Sequence, residues 1–323
     1  MKYIDNFLNK ITMYKLVLYG LFGLILVSSV SGFLGFVSYS GFSIILSWFV
    51  LSVFCFTSNL LFANFFKVQT NVESSSITAF ILTLVLKPIT SFQDIWIFLI
   101  VSVLAMGSKY IFAINKKHIF NPVAISLVIV GVFGFGVGYW WIGSQALLIP
   151  TAILGFLVLR KIQRFQMFLS FLLSAVLTIS VVAVYKDFAI LEALKFAFRS
   201  APIIFFGTIM FTEPLTTPPQ NKKRIIYAVI VGVIYGLDFH IGPIYNAPEL
   251  ALVLGNIYAF IVSPKDKLVL KLVSKYSINE SKDVDEFNFS PDKKIDWKPG
   301  QYLEWTLGHE KPDARGNRSY LTI

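Results

Sequence analysis

The stretch LKPIT, Leu86 to Thr90, is echoed by TEPLT, Thr212 to Thr216, and FNPVAISLV, Phe120 to Val128, is echoed by YNAPELALVL, Tyr245 to Leu254. Pro88 precedes Pro122 by the same 34 positions (122 − 88) as Pro214 precedes Pro248 (248 − 214). Two motifs at one spacing in two halves of an apolar chain mark an internal repeat. With about five spans per unit, the second unit enters the bilayer upside down, the plan that places a binding or conduction site where broken helices meet near the midplane.

Working outward, composition assigns most of the chain to lipid. Hydrophobic residues make up 56% and charged residues 14%, far below the quarter or so of charged residues usual in a soluble domain. The 28 basic and 18 acidic residues place the excess of Lys and Arg in cytoplasmic loops, and no basic, aromatic-interleaved stretch outside those loops suggests nucleic acid. Cys55 is the single cysteine, which excludes an intramolecular disulfide and a Cys-only metal site in one chain. It reads as packing. His118, His240 and His309 are too scattered to suggest a metal centre.

Apolar runs long enough for about 30 Å of hydrocarbon begin near Tyr14, Gly41, Ser76, Ile95, Phe120, Gln145, Phe165, Phe188, Ile225 and Glu249. The expected fold is thus an all-α polytopic membrane protein of about ten spans, arranged as two inverted five-span repeats with half-helices. The half-helices are Ser76 to Leu86 and Ala201 to Phe211, each too short to cross. Such segments are tolerated at depth only when buried in protein or lining a polar cavity. Inside loops then contain Lys116, Lys117, Arg160, Lys161, Arg164, Lys222, Lys223, Arg224, Lys265 and Lys267, against Lys87 and Lys186 outside. This orientation predicts a multi-pass protein of the cell inner (cytoplasmic) membrane, with the lipid bilayer as partner and both termini cytoplasmic. Asp187 to Arg199 has charges at helical spacing and is expected to lie partly along the interface.

Residues 1–264 form the transmembrane domain. From 265 to 323 the chain turns polar, with strand-like alternation in VLKLVSKYSI, FNFS and QYLEWTL and a turn at Pro299-Gly300, which predicts a C-terminal partial antiparallel β-barrel.

Ionisable residues inside membrane segments are functional hypotheses by default. Glu213 and Lys87 stand at equivalent positions before the repeat prolines. They are read as flanking an ion or substrate pathway with Thr90, Thr216 and Thr217, the other reading being interfacial residues at helix ends. Asn121 and Asn246 precede the helix-starting prolines, as N-caps do, and their recurrence places both helix N-termini toward a ligand such as phosphate. Lys109 lies within snorkelling reach of the cytoplasmic loop. Trp140-Trp141 is expected in the outer interface belt, and Gly131, Gly134, Gly136 and Gly138 on a helix-packing face.

FNPVA at Phe120 to Ala124, FTEPLTTPP at Phe211 to Pro219 and the basic loop after it resemble the NqrB/RnfD family, the membrane subunits of the sodium-pumping NADH:quinone reductase and of the Rnf electron-transport complex. The resemblance covers roughly Ala79 to Val262. It implies electron relay through flavin in a redox-driven ion pump, with other subunits of an electron-transport complex as partners. The family's S-G-A-T motif, whose Thr carries FMN, is replaced by WWIGSQALL, so FMN or riboflavin in the membrane domain would be non-covalent, near Asn121, Thr216 and Thr217. KDVDEFNFSP, KPGQYLEWTL and PDARGNRSYLTI resemble the opening of a ferredoxin–NADP reductase-type FAD-binding domain over Lys271 to Ile323. That likeness implies FAD held by an R-x-[YF]-[ST] strand, here Arg318, Tyr320 and Thr322, and an NAD(P)H-binding domain beyond residue 323. Aligned on Thr322, Leu321 falls at the aromatic position and Arg318 one place early.

Together these readings predict a membrane-bound flavoprotein oxidoreductase relaying electrons from NAD(P)H to a membrane acceptor, coupled or not to Na⁺ or H⁺ movement. The alternatives are an inverted-repeat transporter or channel for a small solute, and an anchor that holds a reductase at the membrane.

Overall fold

The computed structural model describes residues 2–68, 72–114, 117–135, 138–199, 202–242, 244–263, 268–278, 285–292, 302–306 and 318–322. The chain divides into two compact units, Met1–Ser263 and Pro264–Ile323. Lys116, Lys265, Lys267, Pro299 and Gly300 lie outside the described residues.

The first unit is helical. Helix α1 (Lys2–Lys10) is amphipathic and is fastened by Arg160, whose Nε and Nη2 donate to the two Asp5 carboxylate oxygens at 3.0 and 3.1 Å. That hydrogen-bonded guanidinium holds the Asp5 carboxyl below the usual carboxylate range. Helix α2 (Met13–Phe33) starts at an N-cap, Thr12, whose hydroxyl accepts from Lys15 N at 3.1 Å. Helix α3 (Gly41–Phe65) starts likewise at Ser40, which accepts from Ser43 N. Both are apolar around their whole circumference, and large side chains such as Phe33, Phe42, Phe49 and Leu61 are exposed. Apolar surface on that scale calls for a lipid environment.

Helix α4 (Val72–Val85) and α5 (Asp94–Ile111) follow, then a hairpin of β1 (Ala113–Ile114) and β2 (Lys117–His118), then α6 (Pro122–Val132). The second half runs through α7 (Leu148–Ile162), α8 (Phe165–Tyr185), α9 (Ile190–Arg199) and α10 (Ile203–Phe205), which continues as a π-helical turn over Phe206–Met210. Next come α11 (Asn221–Gly236), a hairpin of β3 (His240–Ile241) and β4 (Ile244–Tyr245), and α12 (Pro248–Val262). The packing pairs recur as well. Helix α3 lies on α5 as α8 lies on α11, α5 on α6 as α11 on α12, and α2 on α4 as α7 on α10 with its π turn. Two further contacts, α2 on α7 and α6 on α12, join the halves.

Helices stand at all ten expected positions, but five segments are long and apolar enough to cross a membrane: Met13–Phe33, Gly41–Phe65, Asp94–Ile111, Gln145–Ile162 and Phe165–Tyr185. A sixth forms if Ile190–Phe198 and Ile203–Met210, bent by 63°, count as one. Four of the others are bounded by the repeat prolines: Pro122 and Pro248 begin α6 and α12, and the chain leaves helix before Pro88 and Pro214; the fifth, α11, has 16 residues and carries Lys222, Lys223 and Arg224 in its first turn. A proline lacks the N–H and blocks continuation of a preceding turn.

Backbones approach closely between α8 and α11. A Cβ on Gly232 would stand 2.0 Å from Ser174 Oγ and 2.6 Å from the Phe171 carbonyl, and one on Gly236 2.8 Å from the Ala175 carbonyl. The expected glycine face is elsewhere and is no helix face: α6 ends at Val132, and Gly134 turns the chain with φ +75° and open space around it. Gly136 lies outside the described residues.

In the second unit β5 (Leu270–Ser277) pairs with β6 (Asp285–Pro291), and β7 (Tyr302–Thr306) pairs with β8 (Arg318–Thr322), both antiparallel. The described residues form these two separate ladders and not the expected barrel. The β5–β6 ladder is largely open, with Leu272, Val273 and Tyr276 exposed, and two-stranded pieces bury too little to close a core. A Phe289–Trp305 ring contact at 5.0 Å links them. In β8 Arg318 stands opposite Thr306, Tyr320 opposite Glu304 and Thr322 opposite Tyr302.

Candidate functional site

Two of the sequence motifs meet at the start of α6. Asn121, the N-cap, accepts from Ala124 N through Oδ1 at 3.1 Å, and this leaves its amide N–H₂ free to donate to Glu213 Oε2 at 2.9 Å. Glu213 sits where the π-helical turn has ended and just before Pro214 starts a 3₁₀ turn, Pro214–Thr216, so its side chain projects from the break between the two. Its other oxygen faces His118 Nε2 at 3.3 Å, from the hairpin before α6. Thr216 Oγ1 donates to Oε2 at 3.4 Å.

Around this carboxylate the polar groups interlock. Asn256 of α12 accepts from the Asn121 backbone N–H at 2.9 Å and donates to the Thr216 carbonyl at 3.2 Å. Thr217 Oγ1 donates to the Glu213 carbonyl at 3.0 Å and accepts from Arg164, whose guanidinium also reaches the Thr212 carbonyl. Asn121, Thr216, Thr217 and Asn256 are all buried. A cavity of about 50 Å³ opens beside them, lined by Glu213, His118 and Asn121 together with Lys109, Ser74 and Thr78. It has room for a small ion or a few waters. Lys109 does not snorkel: its ammonium donates to the Ser74 carbonyl at 3.0 Å, to Ser74 Oγ at 3.0 Å and to Thr78 Oγ1 at 2.9 Å.

Lys87, Thr90 and Asn246 are not brought to this centre. Ser74 and Lys87 mark opposite ends of the 14-residue α4, about 21 Å of helix at 1.5 Å per residue. Thr90 is exposed and is spent on a turn, its N–H and hydroxyl both donating to Asp94 Oδ2 at 2.8 and 3.1 Å. Asn246 donates its backbone N–H to the Phe239 carbonyl at 2.9 Å and its amide to the Leu237 carbonyl.

At that other end Trp140 and Trp141 are buried, not in a surface belt. Trp141 Nε1 donates to the Thr83 carbonyl at 3.0 Å, and the backbone N–H groups of Tyr139 and Trp140 both donate to the Val85 carbonyl at 2.8 Å. Trp140 adopts the left-handed region at φ 46°, ψ 37°, worth about 1–2 kcal/mol of strain for a residue with a Cβ. A line of rings connects the two ends: Tyr227 on Phe211 at 5.1 Å, Phe211 on Phe206 at 6.2 Å, and Phe206 on Trp140 at 6.0 Å.

Asn256, Arg164, Lys109 and His118 belong to the site without having been singled out for it. The recurrence of one Asn just before each proline-started helix was the signal for Asn121, and no comparable repeat marks the other four. Compared with known proteins, the chain matches no family model and no curated protein sequence.

Proposed function

We propose that the helical unit is the membrane part of an oxidoreductase of the NqrB/RnfD kind, which relays electrons from NAD(P)H by way of flavin to a membrane acceptor and couples this to movement of H⁺ or Na⁺. One observation carries the reading: Asn121 of the F-N-P motif and Glu213 of the T-E-P motif, the two motifs behind the resemblance, meet in a 2.9 Å hydrogen bond. The matching order and packing of the two halves support two inverted five-span repeats. Arg160, Arg164 and Lys222 to Arg224 stand at helix ends, which the positive-inside rule would turn to the cytoplasm.

In this reading Glu213 is the counter-charge that a proton or small cation meets in the cavity, and Lys109, which also lines it, limits how much positive charge the cavity holds. Asn121 and Thr216 aim the carboxylate, and the Pro214 break keeps it off the helix axis. Asn121, Thr216 and Thr217 do not fit a flavin phosphate: their donors are committed to Glu213, and its carboxylate would repel a phosphate beside it. Flavin binding is therefore assigned to the second unit, where Arg318, Tyr320 and Thr322 of β8 would hold FAD. There FAD would supply the chemistry of accepting a hydride and releasing electrons one at a time.

The second reading, a transporter or channel without redox chemistry, is favoured by the cavity, whose roughly 50 Å³ suit an ion better than an organic solute. Absorbance of the purified protein, followed by acid extraction, separates the two. The oxidoreductase reading predicts acid-released FAD and no fluorescent band after denaturing electrophoresis. Protein that moves cations yet contains no flavin contradicts it and leaves the channel.

A further inference from the structure

A second carboxylate, this one fully buried, stands at the end of the α6–α12 pair opposite Glu213. Glu249, in the first turn of α12, is 2% exposed. Its Oε2 accepts from the Trp140 indole N–H at 2.8 Å and its Oε1 from the Gly138 backbone N–H at 3.2 Å. Among the described residues no cationic side chain pairs with it. The ionisable groups on the elements around it are accounted for. Tyr235 of α11 faces it, Asp238 pairs with Lys186, His240 stacks on Tyr245 at 5.6 Å, and Lys87 lies past the end of α4. Burial without a counter-cation drives this carboxyl group toward the neutral acid, against the pull of three neutral donors, the Trp140 indole, Gly138 N–H and its own backbone N–H.

A separate observation concerns what covers it. Trp140 is held in the left-handed region by the two N–H bonds to Val85, and its indole tip lies so close to Gly138 that a Cβ there would stand 2.6 Å from Nε1. A bulky residue in that conformation persists only when its surroundings over-determine it, and such residues collect at gates and binding sites. Here the strained residue is the one that seals the carboxyl group.

We propose that Glu249 is a proton-binding site and that Trp140 is its cover. When the indole is displaced, the carboxylate takes a proton from hydronium at that end of the helical unit, leaving water, and in the reverse direction returns it to water. Its place in a transport cycle rests on the ion-moving reading above, whereas the proton on Glu249 does not.

The test uses infrared difference spectroscopy of the protein in lipid, with dicyclohexylcarbodiimide, which attacks protonated carboxyl groups in apolar surroundings, as a second probe. Wild-type protein should show a carboxylic-acid C=O band near neutral pH that is absent from Glu249→Gln and retained in Glu213→Gln. Carbodiimide should modify Glu249, located by mass spectrometry, and severalfold faster in Trp140→Phe, which removes the N–H and shrinks the cover. An unchanged band in Glu249→Gln, or no modification of Glu249 in either background, overturns the proposal. If the protein moves no ion while band and labelling behave as stated, the functional reading falls and the Glu249 site stands.

Discussion

Asn121 does three jobs with one side chain and one backbone N–H: it caps α6, donates to Glu213 and ties α6 to Asn256. Asn121→Asp keeps the capping oxygen but replaces the donor with a carboxylate beside Glu213. Two like charges at that distance resist joint ionisation, so the new carboxyl has a raised folded-state pKa. The resulting loss of stability, about 1–3 kcal/mol, is full above that raised value and vanishes as pH falls below the unfolded value of about 3.9. Melting curves in detergent across acid and neutral pH should show the gap to wild type closing as pH falls. A gap that stays constant contradicts the contact. Motif recurrence made Asn121, Glu213, Thr216 and Thr217 legible. Asn256 and Glu249 were not, because a lone polar residue in an apolar run looks the same whether it faces lipid, a helix end or a partner, and Asn256 meets its partner across 135 positions.

At the scale of elements, the four repeat prolines fixed where helices start and stop, and the half-helices lie close to their expected positions. Their exact form was less legible. The second contains a π turn, Phe206–Met210, which no proline or glycine pattern announces, and of the two short hairpins before α6 and α12 only the second carries a turn signal, Gly242-Pro243 with Gly242 at φ +58°. Gly232 and Gly236 form the close-packing face that was expected near Gly134. Spacing alone does not tell a glycine that admits a neighbour from one that turns the chain. Gly232→Val is expected to drive α11 off α8 and to cost about 1–3 kcal/mol, as overpacking does. Gly23→Val, where nothing lies within 4 Å, should leave melting unchanged. Equal melting temperatures for the two variants in detergent would contradict the packing.

For the whole molecule, composition sufficed to identify a multi-pass membrane protein, because 56% hydrophobic residues cannot all be buried inside a chain of this length. The count of spans was harder: a helix of 11 residues such as α6 and a full crossing share the same apolar texture until a proline or a partner cuts one short. In the second unit, alternation predicted strands, and strands form, but alternation does not decide which ladders join. The central claim is that electron flow moves an ion through the Glu213 centre. It is tested by driving the protein, in the assembly it forms, with NAD(P)H in liposomes carrying internal pH and Na⁺ indicators. Glu213 is the one carboxylate among the described residues that line the cavity, and Gln takes away the charge a cation would meet there. Glu213→Gln should therefore abolish ion movement, while the exposed Glu192→Gln moves ions at the wild-type rate. Ion movement at the wild-type rate in Glu213→Gln would contradict the account.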